Sequence, residues 1–271
     1  MPPVQALVIF AVGLAAGTIN TVVGSGTLIT FPTLLAFGYP AVLANVSNNV
    51  GLVPGVASGV HGYRAELTGQ RRRIIRLGSA SVCGGLVGAI LLLVLPAGAF
   101  KDIVPALIGI AVAMVLAQPW LARWMAARQV ARAAARGGDV GRRPGRPGQP
   151  GGPGGPGEPG PSAGGGAGTT TAVSVLPVTG VAQRSEAIGG PVLWVLVFAT
   201  GVYGGYFGAA QGVLLIGMLG IALGDTLQRV NAVKNVLAGL VNGVAALVFI
   251  ALAHVDWSVA GLIAAGSILG G

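Results

Sequence analysis

Seven long apolar stretches, each almost free of charged residues, constrain this chain of 271 residues more than any other feature. They cover residues 4–37, 43–60, 77–95, 103–121, 192–223, 230–253 and 255–271. A helix needs roughly 20 apolar residues to cross a bilayer core about 30 Å thick. The stretches therefore predict an all-α polytopic membrane protein.

Composition excludes the water-soluble classes. Hydrophobic residues make up 53% of the chain and charged residues only 8%. A soluble domain carries about 25% charged residues, because its surface has to be solvated. The single cysteine, Cys83, allows no disulfide within the chain, so a secreted disulfide scaffold is excluded as well.

The net charge of +9 comes mainly from arginines gathered in two loops. One loop holds Arg64, Arg71, Arg72, Arg73 and Arg76, and the other covers residues 123–184. No pattern of interleaved aromatic residues provides for base stacking, so we expect no nucleic-acid partner. Basic loops between apolar stretches are typical of the cytoplasmic side. We predict a multi-pass protein of the inner (plasma) membrane, with the N-terminus and both basic loops in the cytoplasm.

Glycine and proline mark a linker between two membrane regions. Residues 137–168 contain 15 glycines and 7 prolines, which do not suit the interior of a helix or strand. We therefore predict a first transmembrane repeat over residues 1–125 and a disordered cytoplasmic linker over 126–188. The second transmembrane repeat is predicted over 189–271.

The two membrane regions share a pattern at a constant offset of 186 residues. This offset places Gly26 on Gly212, Asn45 on Asn231 and Asn49 on Asn235. Four spans per half predict parallel repeats about an axis along the membrane normal, each with a broken first helix. The second copy ends early, so we expect its last span to be missing and the chain to be a fragment.

Polar residues inside the apolar stretches are the candidate functional residues, because polar groups in hydrocarbon are expensive. Lys234 lies well inside a stretch, and on a helix it shares one face with Asn231 and Asn235, as Asn45, Asn48 and Asn49 share another. Glycine breaks expose half-helix N-terminal ends, whose free N–H groups attract anions. These features predict a midplane site for a small anion. Its predicted lining residues are Gly24, Ser25, Gly26, Asn45, Asn49, Gly208, Gln211, Gly212, Asn231, Lys234 and Asn235.

A second interpretation of the same polar residues stays open. The asparagines could cap helices and hold neighbouring spans together. Lys234 could extend along its helix to place its ammonium at the membrane interface. In that case the polar residues would stabilise the bundle without binding a solute.

Other chemistry has little support in the sequence. The acidic residues lie in loops or near the ends of the stretches, which does not suit a carboxylate proton relay. His61 and His254 lie at the ends of different stretches, so a metal site is not expected. Ser25 has no histidine or acid near it in sequence, so we expect no enzyme, no cofactor and no catalytic residue.

Four segments resemble the TauE/SafE sulfite exporter family. Residues 17–32 read GTINTVVGSGTLITFP, 44–48 read ANVSN, 201–208 read GVYGGYFG and 231–235 read NAVKN. The resemblance implies a multi-pass inner-membrane transporter that exports sulfite or organosulfonates such as sulfoacetate. The long glycine–proline linker and the missing last span depart from the family's pattern.

We therefore expect an integral membrane transporter whose partners are a small anionic solute and the lipid bilayer. Two alternatives remain. One is a non-transporting membrane scaffold that recruits a partner through the basic linker, and the other is a transporter of an unrelated small solute. Assembly into a homo-oligomer is compatible with either.

Overall fold

The computed structural model describes residues 1–140 and 190–271, which form nine α-helices and no strand. The helices are α1 (Pro3–Val22), α2 (Thr27–Ala36), α3 (Ala41–Gly62), α4 (Arg71–Val94), α5 (Ala97–Val140), α6 (Pro191–Tyr206), α7 (Gln211–Leu223), α8 (Leu227–Leu252) and α9 (Trp257–Gly270). The prediction of an all-α protein is confirmed. The predicted linker lies outside the described residues from position 141 to 188.

Four helices are long and apolar enough to cross a membrane: Pro3–Val22, Arg71–Val94, Gly98–Trp120 and Leu227–Leu252. Large apolar side chains also cover the outside of the bundle. Val94 is 74% exposed, Leu116 73% and Leu247 69%. Lipid tails solvate such a surface, whereas water would drive it to aggregate. The helices thus support a multi-pass membrane protein.

Each half of the chain begins with a helical hairpin. In the first hairpin, α2 folds back along α1, so that Ile9 and Val12 line one crevice with Thr30 and Leu34. In the second hairpin, α7 folds back along α6, so that the Thr200 hydroxyl lies 3.9 Å from the Met218 sulfur atom. There the Tyr203 hydroxyl donates to the Ala209 carbonyl oxygen at 2.6 Å. The predicted breaks at Gly24–Gly26 and Gly208–Gly212 lie at the tips of these hairpins.

The corresponding helices α3 and α8 run in opposite directions. At one end of the pair, the Gln70 side chain donates to the Arg229 carbonyl oxygen at 3.4 Å. At the other end, the Asp256 amide donates to the Ser47 hydroxyl at 2.9 Å. The prediction of parallel repeats is therefore wrong. Within each hairpin the second helix runs back along the first, a reversal that the count of apolar stretches did not include.

The first helix runs parallel to α3 and α9. A Cβ atom on Gly13 would lie 3.0 Å from Ile263, and one on Gly51 would lie 2.8 Å from the same residue. One turn further along, Gly17 and Gly55 both approach Ser267. Because α1 and α3 point the same way, α1 begins at the end of the bundle opposite the basic loop that follows α3. The described helices therefore give no support to the prediction that the N-terminus and this loop share a side of the membrane.

The first helix of each hairpin packs against a helix of the other half, α6 against α4 and α1 against α9. The backbone of α6 approaches α4 so closely that a Cβ on Gly88 would lie 2.1 Å from the Val202 carbonyl oxygen. On the other side of the bundle, α1 packs against α9 through Gly13 and Gly17. Small residues permit such close helix contacts where lipid supplies no hydrophobic driving force. This exchange brings the two hairpin tips together between the halves.

Candidate functional site

The two hairpin tips touch backbone to backbone. The Gly212 amide donates to the Gly24 carbonyl oxygen at 3.1 Å. A Cβ atom on Gly24 would lie 2.4 Å from the Gly212 Cα atom, and Gly24 has a φ of +83°. Only glycine combines a left-handed backbone with so close an approach. The glycines predicted to break the helices therefore also form the contact between the two tips.

Three polar residues on α8 bind the end of α1, and we call them the lysine face: Asn231, Lys234 and Asn235. The Lys234 ammonium donates to the carbonyl oxygens of Asn20 at 3.2 Å and Thr21 at 3.1 Å. The two asparagine side chains each donate to the Thr21 carbonyl oxygen at 3.3 Å. The last carbonyls of a helix lack partners within the helix and carry partial negative charge, so a cation with amide donors suits this end.

This arrangement bears on the second interpretation of the polar residues. The asparagines do cap a helix end, as that interpretation expects. Lys234 behaves differently, because it is 0% exposed and its ammonium stays inside the bundle instead of extending to an interface. A fully buried ammonium is costly unless it is compensated.

The matching residues on α3 form the asparagine face: Asn45, Asn48 and Asn49. The Asn45 side chain donates to the Tyr206 carbonyl oxygen, at the end of α6, at 3.0 Å. The Asn48 side chain donates to the Thr27 hydroxyl at 3.3 Å. The Oδ1 atoms of Asn48 and Asn49 are buried and have no hydrogen-bond partner. The asparagine face therefore holds acceptors that nothing in the described part of the chain satisfies.

The N-terminal ends of the two returning helices lie at the tips. Ser25 precedes α2 and is 3% exposed, and Gln211 begins α7 and is 2% exposed. The Gln211 Nε2 atom is a buried donor without a partner. Gly204 makes room for this amide, since a Cβ there would lie 2.3 Å from the Gln211 carboxamide. Helix N-terminal ends carry partial positive charge and free N–H groups, which suit an anion.

An aromatic cluster packs around the tip of the second hairpin. Phe207 meets Phe31 edge to face at 5.3 Å between ring centroids, and Tyr206 meets Phe100 at 5.5 Å. Phe31 lies on α2, Phe100 on α5 and Tyr206 at the end of α6, and Phe207 directly follows α6. Sequence reasoning named Tyr206 only as a polar candidate and did not group the four rings, because they lie far apart along the chain.

The predicted site residues lie at the hairpin tips and on the two polar faces that bind them. Sequence reasoning placed all of them around one solute, whereas Asn45 and Asn231 bind the ends of different hairpins. It also left out Asn48 and Thr27, which bond to each other. The offset of 186 residues was a signal for Asn48, since it places that residue on Lys234.

The ion pairs of Asp225 with Arg73 and Arg229 lie at one end of the bundle, which we call the arginine end. There, where α3 ends and α4 begins, Asp225 pairs with Arg73 at 3.1 Å and with Arg229 at 3.2 Å. Burial acts to raise the pKa of Asp225, but hydrogen bonds from Arg73, the Thr226 amide and Arg229 outweigh it and hold that pKa below its ordinary value. These pairs tie the loop before α8 to the start of α4.

No cluster of three or more histidine, cysteine or acidic side chains suited to a metal occurs among the described residues. Comparison with protein families gives one match, in which the model described as sulfite exporter TauE/SafE matches residues 9–271. Comparison with curated proteins and with solved structures gives no match.

Proposed function

Because the chain belongs to the sulfite exporter TauE/SafE family, a family of membrane transporters, we propose that it exports small anions such as sulfite or organosulfonates. The proposed route passes through the hairpin tips. Lys234 supplies the positive charge of the site, and the N-terminal ends of α2 and α7 supply neutral donors.

One observation carries this proposal: a fully buried ammonium whose hydrogen bonds within the described part of the chain go to backbone carbonyl groups. Lys234 donates two hydrogen bonds, and an ammonium has three donors. Carbonyl dipoles offset part of the desolvation cost, but they leave one positive charge inside the bundle. A small anion bound next to Lys234 would neutralise that charge.

Two residues at the helix starts would complete the site. Gln211 has a buried Nε2 donor without a partner, and Ser25 is buried at the start of α2. Sulfite and sulfonate groups carry several oxygen acceptors on one atom. Donors from two sides, with an ammonium as the third contact, suit such a group better than they suit a metal cation.

We further propose that the halves are inverted repeats related by an axis in the membrane plane. The order of elements supports this, since in each half a hairpin is followed by a long helix and at least one further helix, and α3 lies antiparallel to α8. Transporters built in this way place their sites between the repeats, near the midplane. The arginine end would then face the cytoplasm by the positive-inside rule, and α1 would begin on the outer side.

The test is efflux of sulfite and of sulfoacetate from cells that express the chain, comparing the wild type with Lys234→Gln. Glutamine keeps a donor for the α1 carbonyls and removes the charge. A hydrogen bond to a charged group contributes about 1.5–3 kcal/mol, so we expect efflux at low substrate concentration to fall roughly tenfold to a hundredfold.

Asn242→Ala is the matched control, because Asn242 is another buried polar residue of α8, outside the lysine face. It should leave efflux close to the wild-type rate at equal membrane abundance. Unchanged efflux in Lys234→Gln would remove the proposed site. Absence of efflux of either compound in the wild type would contradict the proposed substrate class.

A further inference from the structure

The two polar faces occupy equivalent positions but differ in one residue. At the offset of 186 residues, Asn45, Asn48 and Asn49 correspond to Asn231, Lys234 and Asn235. Each face lies against the C-terminal end of the other half's first hairpin helix. Asn231 donates to the Thr21 carbonyl oxygen of α1, and Asn45 donates to the Tyr206 carbonyl oxygen of α6. Only the lysine face carries a charge.

The Lys234 ammonium acts as a cation fixed to the chain. It lies against the carbonyl oxygens of Asn20 and Thr21, the two residues that precede the last residue of α1. Those carbonyls form the negative end of a helix dipole inside the bundle. The positive charge at this end therefore compensates both the dipole and the unpaired carbonyl groups.

At the corresponding end of α6, the described part of the chain supplies no cation in the position of Lys234. The residue at the position of Lys234 is Asn48, whose Nδ2 donates to Thr27 and whose Oδ1 has no partner. Asn49 also has an unpartnered Oδ1, and the two residues are 1% and 8% exposed. A buried acceptor without a donor costs about 1–3 kcal/mol, so two on one face call for a donor or a cation from outside the chain.

The oxygen atoms at this face belong to side-chain amides and to a backbone carbonyl group. Neutral oxygen ligands suit a hard monovalent cation, while Ca²⁺ and Mg²⁺ sites draw on carboxylates. None of the acidic residues in the described part of the chain lies on this face, since Glu66, Asp102, Asp139, Asp225 and Asp256 lie in loops or at helix ends. The chemistry therefore favours Na⁺ over a divalent ion.

We propose that the asparagine face, with the C-terminal carbonyls of α6, binds a sodium ion at the position that Lys234 fills on the lysine face. Asn48 and Asn49 supply side-chain oxygens, and Tyr206 supplies a backbone oxygen. The bound ion stabilises the end of α6 as the ammonium stabilises the end of α1. This site borders the proposed anion site, since Asn48 bonds to Thr27 at the start of α2. It uses different ligand atoms, so a measurement without sulfite tests it separately.

The experiment measures the melting temperature of the purified full chain as NaCl replaces N-methyl-D-glucamine chloride at constant ionic strength, without sulfite. A ligand present at 100 times its Kd should raise the melting temperature of a protein of this size by about 5 °C or more. We expect a saturable rise with Na⁺ and a smaller one with K⁺. An equal response to both ions, or none, would overturn the proposal.

The informative variant is Asn48→Lys, which copies the lysine face. Its ammonium should take the place of the ion, so the variant should lose the sodium-dependent rise. If that variant does not fold, Asn48→Ala serves instead and should need at least tenfold more Na⁺ for half of the rise. Asn242→Ala should respond as the wild type does. A rise that is unchanged in the folded Asn48 variants would place the sodium site elsewhere and overturn this assignment.

Discussion

The lysine face and the asparagine face bind the same kind of helix end by different means. On α8, an ammonium and two amides reach the carbonyls of Asn20 and Thr21. On α3, one amide reaches the Tyr206 carbonyl, and the Oδ1 atoms of Asn48 and Asn49 have no partner among the described residues, whereas on α8 the one such buried atom is Asn231 Oδ1. The chain itself thus supplies a permanent positive charge at the end of α1, whereas the end of α6 takes its cation from solution. Such an asymmetry suits a transporter that moves a solute past a fixed charge.

The largest expected effect comes from separating the tips on which both faces depend. In Gly24→Ala, the new Cβ would lie 2.4 Å from the Gly212 Cα atom. Forcing atoms into a packed contact costs about 1–3 kcal/mol, and a left-handed non-glycine residue costs roughly 1–2 kcal/mol more. We expect loss of efflux and a free energy of unfolding lower by about 3 kcal/mol.

Gly38→Ala is the matched control for this prediction. Gly38 has a φ of +85°, but nothing lies within 4 Å of the position of its Cβ. This variant should lose only about 1–2 kcal/mol and keep its efflux. Chemical denaturation in detergent measures both variants. Equal losses would show that the backbone conformation, and not the contact between the tips, makes Gly24 sensitive.

The next effect comes from removing the difference between the faces. Lys234→Asn gives α8 the three asparagines that α3 already has. The end of α1 would then lack its cation, and we expect the variant to be less stable than the wild type in N-methyl-D-glucamine chloride. Sodium should restore more stability to this variant than to the wild type, because two faces can then bind the ion. Melting temperatures in the two salts measure the effect, and an equal sodium response would contradict it.

The sequence predicted the helix breaks, the polar faces and the correspondence of Asn45 with Asn231, because these features are local or repeat at a fixed offset. It did not predict the direction of the halves. A stretch such as residues 4–37 is long enough for one crossing, and hydropathy does not reveal that α2 turns back along α1. The chain reversal depends on tertiary contacts such as that of Gly26 with Ala16, which have no signature in composition.

The sequence predicted the residues of the candidate site better than it predicted which of them lie together. Lys234 was a candidate because a charged residue in an apolar stretch is costly. The structure places this residue in the interior of the bundle, where it is fully buried. Its partners are backbone carbonyls of a distant helix, and sequence carries no mark of which carbonyls lack partners. For the same reason, the unpartnered oxygens of Asn48 and Asn49 became visible only with the fold.

The smallest expected effects come from substitutions at the two ends of the bundle, where one contact is between charged groups and the other between neutral groups. At the arginine end, Asp225 joins Arg73 and Arg229. At the opposite end, the Ser47 hydroxyl accepts from the Asp256 amide. Asp225→Asn should lower the free energy of unfolding by about 1 kcal/mol or less, since partly exposed ion pairs contribute little. Ser47→Ala should lower it by about 1 kcal/mol.

Salt and pH distinguish these two contacts. The loss in Asp225→Asn should shrink in roughly 1 M salt, where charges are screened beyond about 3 Å, whereas the loss in Ser47→Ala should not. The pKa of Asp225 lies below its ordinary value in the folded protein, so its contribution is complete above the unfolded pKa and declines as the pH falls through the folded one. The wild type should therefore approach Asp225→Asn in stability only under acid conditions. Melting temperatures at two salt concentrations and across acid pH measure both effects, and a salt-independent loss in Asp225→Asn would show that its hydrogen bonds, rather than its charge, hold the arginine end together.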